Sequence, residues 1–281
     1  MAFSNAKSIL RNVSGLSALK VLLLTARSSR PALRPLCTLL LRPFVRNGEI
    51  SLTFKEAGRS FTVLLRLADE EGDLHSILEV VARRVYPLDD VYVPDLIIDG
   101  GGNIGLFSLL AAAKYPEAKV VICEPLPRNI KQIERHLSLN RVNAELLPVC
   151  MGGAKRIIPF YCRHANASSF EAAEPYESIL EIDVVSLNDL LASSSANRVL
   201  IKLDIEGMEV EALESYVPCE QRSVVILGEL HHQQELRAAF EQLFIKYGWS
   251  FQFGDLSGTD ATFEARSPAA QQGHAAVSSK P

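Results

Sequence analysis

The stretch that most constrains this chain is Leu96–Gly105, LIIDGGGNIG, an apolar run that breaks into three successive glycines and resumes as a helical pattern. A strand feeding a glycine turn and a helix is the entry to a parallel α/β sheet, and such sheets hold nucleotide-like ligands at the carboxyl ends of their strands. Glycine permits the tight turn and lets ligand atoms approach the backbone with no Cβ between them. From Asp95 onward strand and helix patterns alternate. Strands are predicted at Asp95–Asp99, Lys119–Cys123, Ala144–Val149, Val199–Asp204 and Ser223–Glu229, with helices at Ile104–Lys114, Pro127–Leu139, Gly207–Tyr216 and His232–Tyr247. Arg156–Tyr161 and Leu180–Val185 read as additional strand material before a short helix at Leu187–Ala192, and Trp249–Phe253 with Ala261–Ala265 as an antiparallel edge pair. The expected architecture is α/β and Rossmann-like: a mostly parallel seven-stranded sheet with helices on both faces.

Upstream, Ile50–Phe54 and Phe61–Leu67 alternate on either side of Lys55–Ser60 and predict a β-hairpin, while Leu74–Tyr86 carries apolar residues at helical spacing. Residues 1–48 hold eight Lys or Arg and no acid, so the net charge of −4 leaves −12 for the remainder. This basic extension, interrupted by Pro31, Pro35 and Pro43, reads as short amphipathic helices. Three roles stay open for it: a helical cap packed on the domain, which is favoured, a peripheral membrane contact, or an organellar transit peptide. The expected division is 1–48, a domain at 49–266 with its core at 95–254, and a disordered tail at 267–281, rich in Ala, Ser, Gln and Pro. No apolar run reaches the ~18 residues of a membrane-spanning helix. Five cysteines without CxxC spacing suggest neither a disulfide framework nor a zinc site. These features favour a soluble, cytoplasmic body with at most peripheral membrane contact, and the confined basic character gives no sign of nucleic-acid binding.

Asp99, Gly100, Gly101, Asn103 and Gly105 are the candidate cofactor-binding residues of the loop. Glu124, ending the next strand, is placed to accept the two hydroxyls of a ribose. Gly100, Gly102 and Gly105 also satisfy the dinucleotide pattern GxGxxG. Asp99 weighs against that reading, since a carboxylate at the loop mouth repels a pyrophosphate and attracts the cationic ammonium and sulfonium of S-adenosylmethionine (SAM). Asn103 adds a side chain able to hold the methionine carboxylate or the helix start.

A second cluster follows in Ile201–Glu209, IKLDIEGME. Alternation puts Lys202 and Asp204 on the same side of the strand, with Asp204 at its carboxyl end. Glu229, His231 and His232 reach the same rim from the next strand. Methyl transfer to a hydroxyl needs an aligned acceptor and a base. Asp204, Glu206 and His231 are the candidates, with His231 or Asp204 preferred, while Lys202 tunes a neighbour or pairs with Asp204. Glu206 and Glu209 also suit a helix's first turn for dipole reasons alone. At most one of the two histidines is expected to be functional. Asp204, Glu229 and a histidine could gather a divalent cation, a less favoured reading.

The combination of IDGGGNIG at Ile98–Gly105, EP at Glu124–Pro125, SLNDL at Ser186–Leu190 and IKLDIEGME resembles the FkbM family of SAM-dependent methyltransferases over about residues 50–247. The resemblance implies a class I methyltransferase fold and O-methylation of a hydroxyl on a sugar, glycolipid or secondary metabolite. It also implies SAM contacts at Asp99, Gly101, Asn103, Gly105 and Glu124, and an active site lined by Lys202, Asp204 and Glu206. Gly102 stands where such loops often have Ala. An NAD-dependent oxidoreductase and a non-catalytic methyltransferase-like binding module remain as alternatives. The expected partner is a small-molecule or glycan acceptor; oligomeric state is not legible.

Overall fold

Alternation along the strands decides which side chains meet which layer. A computed structural model describes residues 49–66, 72–89, 91–162, 178–192, 194–257 and 259–271. The basic extension at 1–48 therefore lies outside the described residues, as does 272–281 of the expected tail.

Strands β1 (Glu49–Glu56) and β2 (Arg59–Arg66) form the expected antiparallel hairpin, closed by Ala57 and Gly58, both at positive φ. Helix α1 (Gly72–Ser76) follows and passes into a π-helical segment, Ile77–Arg83, that ends on Arg84 in the left-handed region. The predicted Leu74–Tyr86 helix is thus present but wider than an α-helix, a departure that recurs near functional sites.

The main sheet then begins with β3 (Leu96–Gly100), α2 (Leu106–Lys114), β4 (Lys119–Cys123), α3 (Pro127–Asn140) and β5 (Glu145–Leu147). The predicted strand Ala144–Val149 is shorter than expected. The chain leaves the main sheet after Leu147 and starts a separate three-stranded sheet of β6 (Cys150–Gly152), β7 (Arg156–Cys162) and β8 (Ser178–Ser186), ordered β6-β8-β7. After α4 (Leu187–Ala192) the main sheet resumes with β9 (Arg198–Leu203), α5 (Glu209–Glu214), β10 (Ser223–Leu230), α6 (Gln233–Tyr247), β11 (Ser250–Ser257) and β12 (Asp260–Arg266).

Its order is β11-β12-β10-β9-β3-β4-β5. Strands β5, β4, β3, β9 and β10 are mutually parallel, and β12 is antiparallel to both β10 and β11. The last hairpin therefore inserts β12 beside β10, so the expected edge pair carries a defined register, Leu230 opposite Ala261.

Two cores flank the sheet. Ile97, Ile122, Leu200 and Leu227 face the hairpin, the π-helical segment and α2. Ile98, Val121, Ile201 and Ile226 face α4, α5 and α6 with Phe240, Phe244 and Trp249. A third, smaller core beneath the separate sheet gathers Leu126, Phe160, Val184 and Met208. The expectation of disorder from residue 267 is corrected at its start. Ser267 and Ala270 are buried, and Ser267 exchanges hydrogen bonds with Val224 through its amide and hydroxyl, each at 2.9 Å.

Candidate active site

The carboxyl ends of β3, β9 and β10 converge on one cleft, and each of the turns leaving them contains a non-glycine residue in the left-handed region: Asn103 (φ 50), Glu206 (φ 57) and His232 (φ 51). Such conformations persist only where the surroundings fix them, and they gather at ligand sites. The cleft has two halves that share Gly101, Asn103, Asp204 and Glu206. One, of about 630 Å³, is mainly apolar, with Leu126, Met151, Phe160, Ile205 and Met208 around the Glu124 carboxylate. The other, of about 970 Å³, is polar, with Glu79, Tyr86, Lys202, Glu229 and His231 among its walls.

The glycine turn is built inward. The amides of Gly101 and Gly102 both donate to the Cys123 carbonyl at 3.0 Å, the Gly105 amide donates to the Gly102 carbonyl at 2.7 Å, and the Asn103 amide donates to Glu124 Oε2 at 2.7 Å. A pyrophosphate bound in a dinucleotide fold relies on such N–H groups, and here all four are spent inside the protein. Gly101 has φ 72, and a Cβ there would collide with the Asp204 carbonyl oxygen, so the loop of β3 rests directly on that of β9.

Asp99 does not stand at the loop mouth, contrary to the sequence reading. Register pairs it with Lys202 on the neighbouring strand, and both project from the face that carries Ile97 and Leu200, beneath α2. Asp99 is 0% exposed; its Oδ2 accepts the Ser108 hydroxyl at 2.6 Å and its Oδ1 lies 3.5 Å from Lys202 Nζ. Burial raises its pKa, with Lys202 and Ser108 acting in the opposite sense. Gly100 and Gly105 also lie behind the cleft surface, which leaves Gly101, Asn103 and Glu124 as the predicted cofactor residues that line it. Asn103 does not hold the helix start: Gly105 is the N-cap, and Asn103 Nδ2 donates instead to Ser76 Oγ at 2.8 Å. Its Oδ1 is buried with no hydrogen-bond partner.

Glu124 is buried and accepts hydrogen bonds from the amides of Asn103 and Leu126 and from Asn129 Nδ2. On the other side of the cleft, Lys202, Asp204, Glu206 and His231 are brought together as the sequence suggested. Lys202 Nζ donates to the carbonyls of Gly100 and Gly101 at 3.0 and 2.8 Å and lies 3.3 Å from Asp204 Oδ2. His231 Nδ1 meets Glu209 Oε1 at 3.0 Å, while its Nε2 lies 3.9 Å from Asp204 and 3.7 Å from Glu206. Glu209 is fully buried, and the same Oε1 also accepts the amides of Ile205 and Gly207, so it clasps the turn rather than reaching the cleft. His232 starts α6 while His231 faces the cleft, one role each. Among the described residues no group of three or more His, Cys, Asp or Glu is arranged to hold a metal ion.

Residues 99–255, more than half of the chain, match the family described as methyltransferase FkbM domain. The chain belongs to that family. This FkbM-family chain is 26% identical over 158 residues to Methyltransferase 1 of Beauveria bassiana, a match covering 48% of this chain and 64% of that protein. It is 28% identical over 170 residues to methyltransferase sdnD of Sordaria araneosa, covering 48% of this chain and 66% of the relative. The matches thus span just under two thirds of either fungal protein. Among solved structures, P. horikoshii TYW2 in complex with MeSAdo is 13% identical with a TM-score of 0.43, covering 84% of each chain. A methyltransferase from Geobacter sulfurreducens is 15% identical with a TM-score of 0.39, covering 66% of this chain and 77% of that one. The strand order, parallel but for the inserted β12 and its partner β11, is the mostly parallel seven-stranded Rossmann-like sheet expected from the sequence.

The charge states of the site follow from crowding. Burial pushes Glu124 up to about 7 against its three hydrogen bonds. Burial pushes Glu206 to about 8 and Glu229 to about 7, with the neighbouring Asp204 adding to both. His231 is opposed by burial, yet the Glu209 hydrogen bond and the charges of Glu209, Asp204 and Glu206 lift it to about 10. The three carboxylates around it thus favour the imidazolium, which weighs against His231, preferred from sequence alongside Asp204, as the base. Burial works against Asp204 too, but Lys202, His231 and the Tyr86 hydroxyl keep it below the usual carboxylate range.

Sequence reasoning missed Tyr86, Ser76 and Glu79 in the polar half and Met151 and Phe160 in the apolar half. The first three sit in a segment with only a helical period to mark it, and the last two fall just past the predicted strand Ala144–Val149 and in the additional strand material at Arg156–Tyr161, where no motif points to a site. Among the described residues, no helix is long and apolar enough to cross a membrane.

Proposed function

We propose that this methyltransferase uses SAM to O-methylate a hydroxyl on a small molecule or glycan. The observation that carries the cofactor reading is the pairing of a loop whose amides are already bonded with a rim whose carboxylates outnumber its cations. Lys202 is the only Lys or Arg among the described lining residues, and its ammonium is turned to two carbonyls and two carboxylates. A phosphate would meet a lysine already engaged and the Asp204 charge beside it, whereas a cationic, phosphate-free nucleoside finds complementary charge at Asp204.

The donor set fits SAM in a specific way. Glu124 would accept the ribose hydroxyls through lone pairs its three protein donors leave open, the apolar half would take the adenine, and Asp204 with Glu206 would face the positive charges. SAM supplies a methyl group already activated by a sulfonium. The chain's own task is to exclude water, align the acceptor and take its proton. Glu206, which borders both halves and titrates near neutral pH, suits that proton transfer better than His231. The acidic rim also disfavours phosphate-rich partners, in keeping with a small-molecule or glycan acceptor and against nucleic acid.

Calorimetry with SAM, S-adenosylhomocysteine and NAD tests the cofactor: the first two should bind and NAD should not. Mass spectrometry of candidate hydroxyl acceptors should then show the gain of one methylene. Tight NAD binding without SAM binding would overturn the proposal.

A further inference from the structure

The Asp204 carboxylate is hydrogen-bonded on one oxygen only, the other having the longer ion pair with His231. Tyr86 donates its hydroxyl to Oδ2 at 2.8 Å, and Lys202 Nζ lies 3.3 Å from that same atom. Oδ1 lies on the side of His231, whose Nε2 is 3.9 Å away, beyond hydrogen-bond reach. A carboxylate held by two donors on one oxygen has its rotation fixed, and its other oxygen is presented in a set direction.

Tyr86 is itself held. It is buried at 6% exposure, stacks edge-on against Phe107 of α2 at 5.8 Å between ring centroids, and places its ring 5.3 Å from the Lys202 ammonium. It enters the cleft from the segment after the π-helix, 118 residues before Asp204, so the contact exists only because that segment folds over the carboxyl ends of β3 and β9. The charged or titratable groups facing Asp204 are Lys202 from its own strand, Tyr86 from the covering segment, Asp99 from β3, Glu206 from the following turn, and Glu229 and His231 from the end of β10.

We propose that Tyr86 is a positioning residue for the cofactor: it locks Asp204 through Oδ2, with Lys202 as second anchor, so that Oδ1 is presented to positive charge in the cleft. This rests on the SAM reading above. Loss of the hydroxyl would leave Lys202 as the remaining anchor and free the carboxylate to turn. Lys202 cannot do the whole task, because its shortest bonds go to the Gly100 and Gly101 carbonyls.

A double-mutant cycle on SAM affinity tests this without any acceptor. Tyr86→Phe keeps the ring packing and removes one hydrogen bond to a charged oxygen, so SAM should bind about 10-fold more weakly at pH 7.5. Asp204→Asn should weaken SAM at least as much. Because Tyr86 acts through the Asp204 charge, adding Y86F to D204N should change the affinity by less than about 2-fold. A loss from Y86F that is the same in both backgrounds, or Y86F affinity equal to the parent's, would overturn the proposal. Thermal unfolding of each variant identifies any loss that comes from unfolding, since a general loosening would lower affinity in both backgrounds alike. If the unmodified protein does not bind SAM at all, the cofactor assignment fails rather than the role of Tyr86.

Discussion

Replacing Lys202 with Met keeps the length of the side chain and deletes a charge at the most enclosed point of the site. Lys202 is 3% exposed, and its ammonium serves two carbonyls, at 3.0 and 2.8 Å, and two carboxylates, at 3.5 and 3.3 Å. Asp204 would keep Tyr86 and His231 nearby, but Asp99, fully buried, would keep only the Ser108 hydroxyl. Removing one partner of a buried ion pair costs about 3–5 kcal/mol, a large share of the roughly 5–15 kcal/mol that holds a domain together. In a domain of this size each kcal/mol moves the midpoint by about 2–4 °C, so K202M should melt roughly 6–20 °C lower. The cost should be smaller at pH 5.5 than at pH 8, because the orphaned Asp99 can be buried as the neutral acid when protons are available. Urea unfolding at both pH values measures this, and Lys202→Met combined with Asp99→Asn should recover most of the loss by removing both charges. A K202M protein within about 1 kcal/mol of the parent, or a double variant no more stable than K202M, would refute the claim that neutralising Asp99 is a main task of this lysine.

Gly101→Ala should destabilise the fold by more than about 2 kcal/mol in urea unfolding, since it adds a left-handed penalty to a collision with the Asp204 carbonyl; a loss below 1 kcal/mol would mean that the two loops separate easily. Glu124→Gln turns an amide toward backbone donors that now point at a carboxylate, so about 1–3 kcal/mol of stability and about 10-fold in SAM affinity should be lost; unchanged calorimetric affinity would remove Glu124 from the cofactor site. The ligand-free protein should melt lower at pH 8.5 than at pH 5.5. Glu124 and Glu229 (about 7), Glu206 (about 8) and His231 (about 10) all hold protons more tightly folded than unfolded, so their contribution is lost as pH rises through these values, from about 4.5 for the carboxyls and about 6.5 for His231. Glu206, with 39% of its side chain exposed, should contribute least among the carboxyls. A midpoint that climbs over that range in scanning fluorimetry would show that the carboxylates are not crowded as described.

The linear chain already announced the sheet, because apolar runs punctuated by glycine and alternating with helical periods admit few other folds. It also announced that the Gly101 loop, Glu124, Asp204 and His231 would meet, since residues at the carboxyl ends of adjacent parallel strands must share one rim. The tertiary structure decided what those groups are. A period of two says that Asp99 and Lys202 share a face but not that α2 covers it, so a carboxylate read as a cofactor contact turned out to be a buried counter-ion. Periodicity likewise carries no signal for the Tyr86 hydroxyl on Asp204 or for the amides folded back onto Cys123 and Glu124. The charge of His231 depends on three carboxylates reaching it from the β9 turn and the start of α5. Local spacing fixes where a side chain leaves the backbone. Its burial, its partners and its proton are set by segments far away in sequence that pack against it.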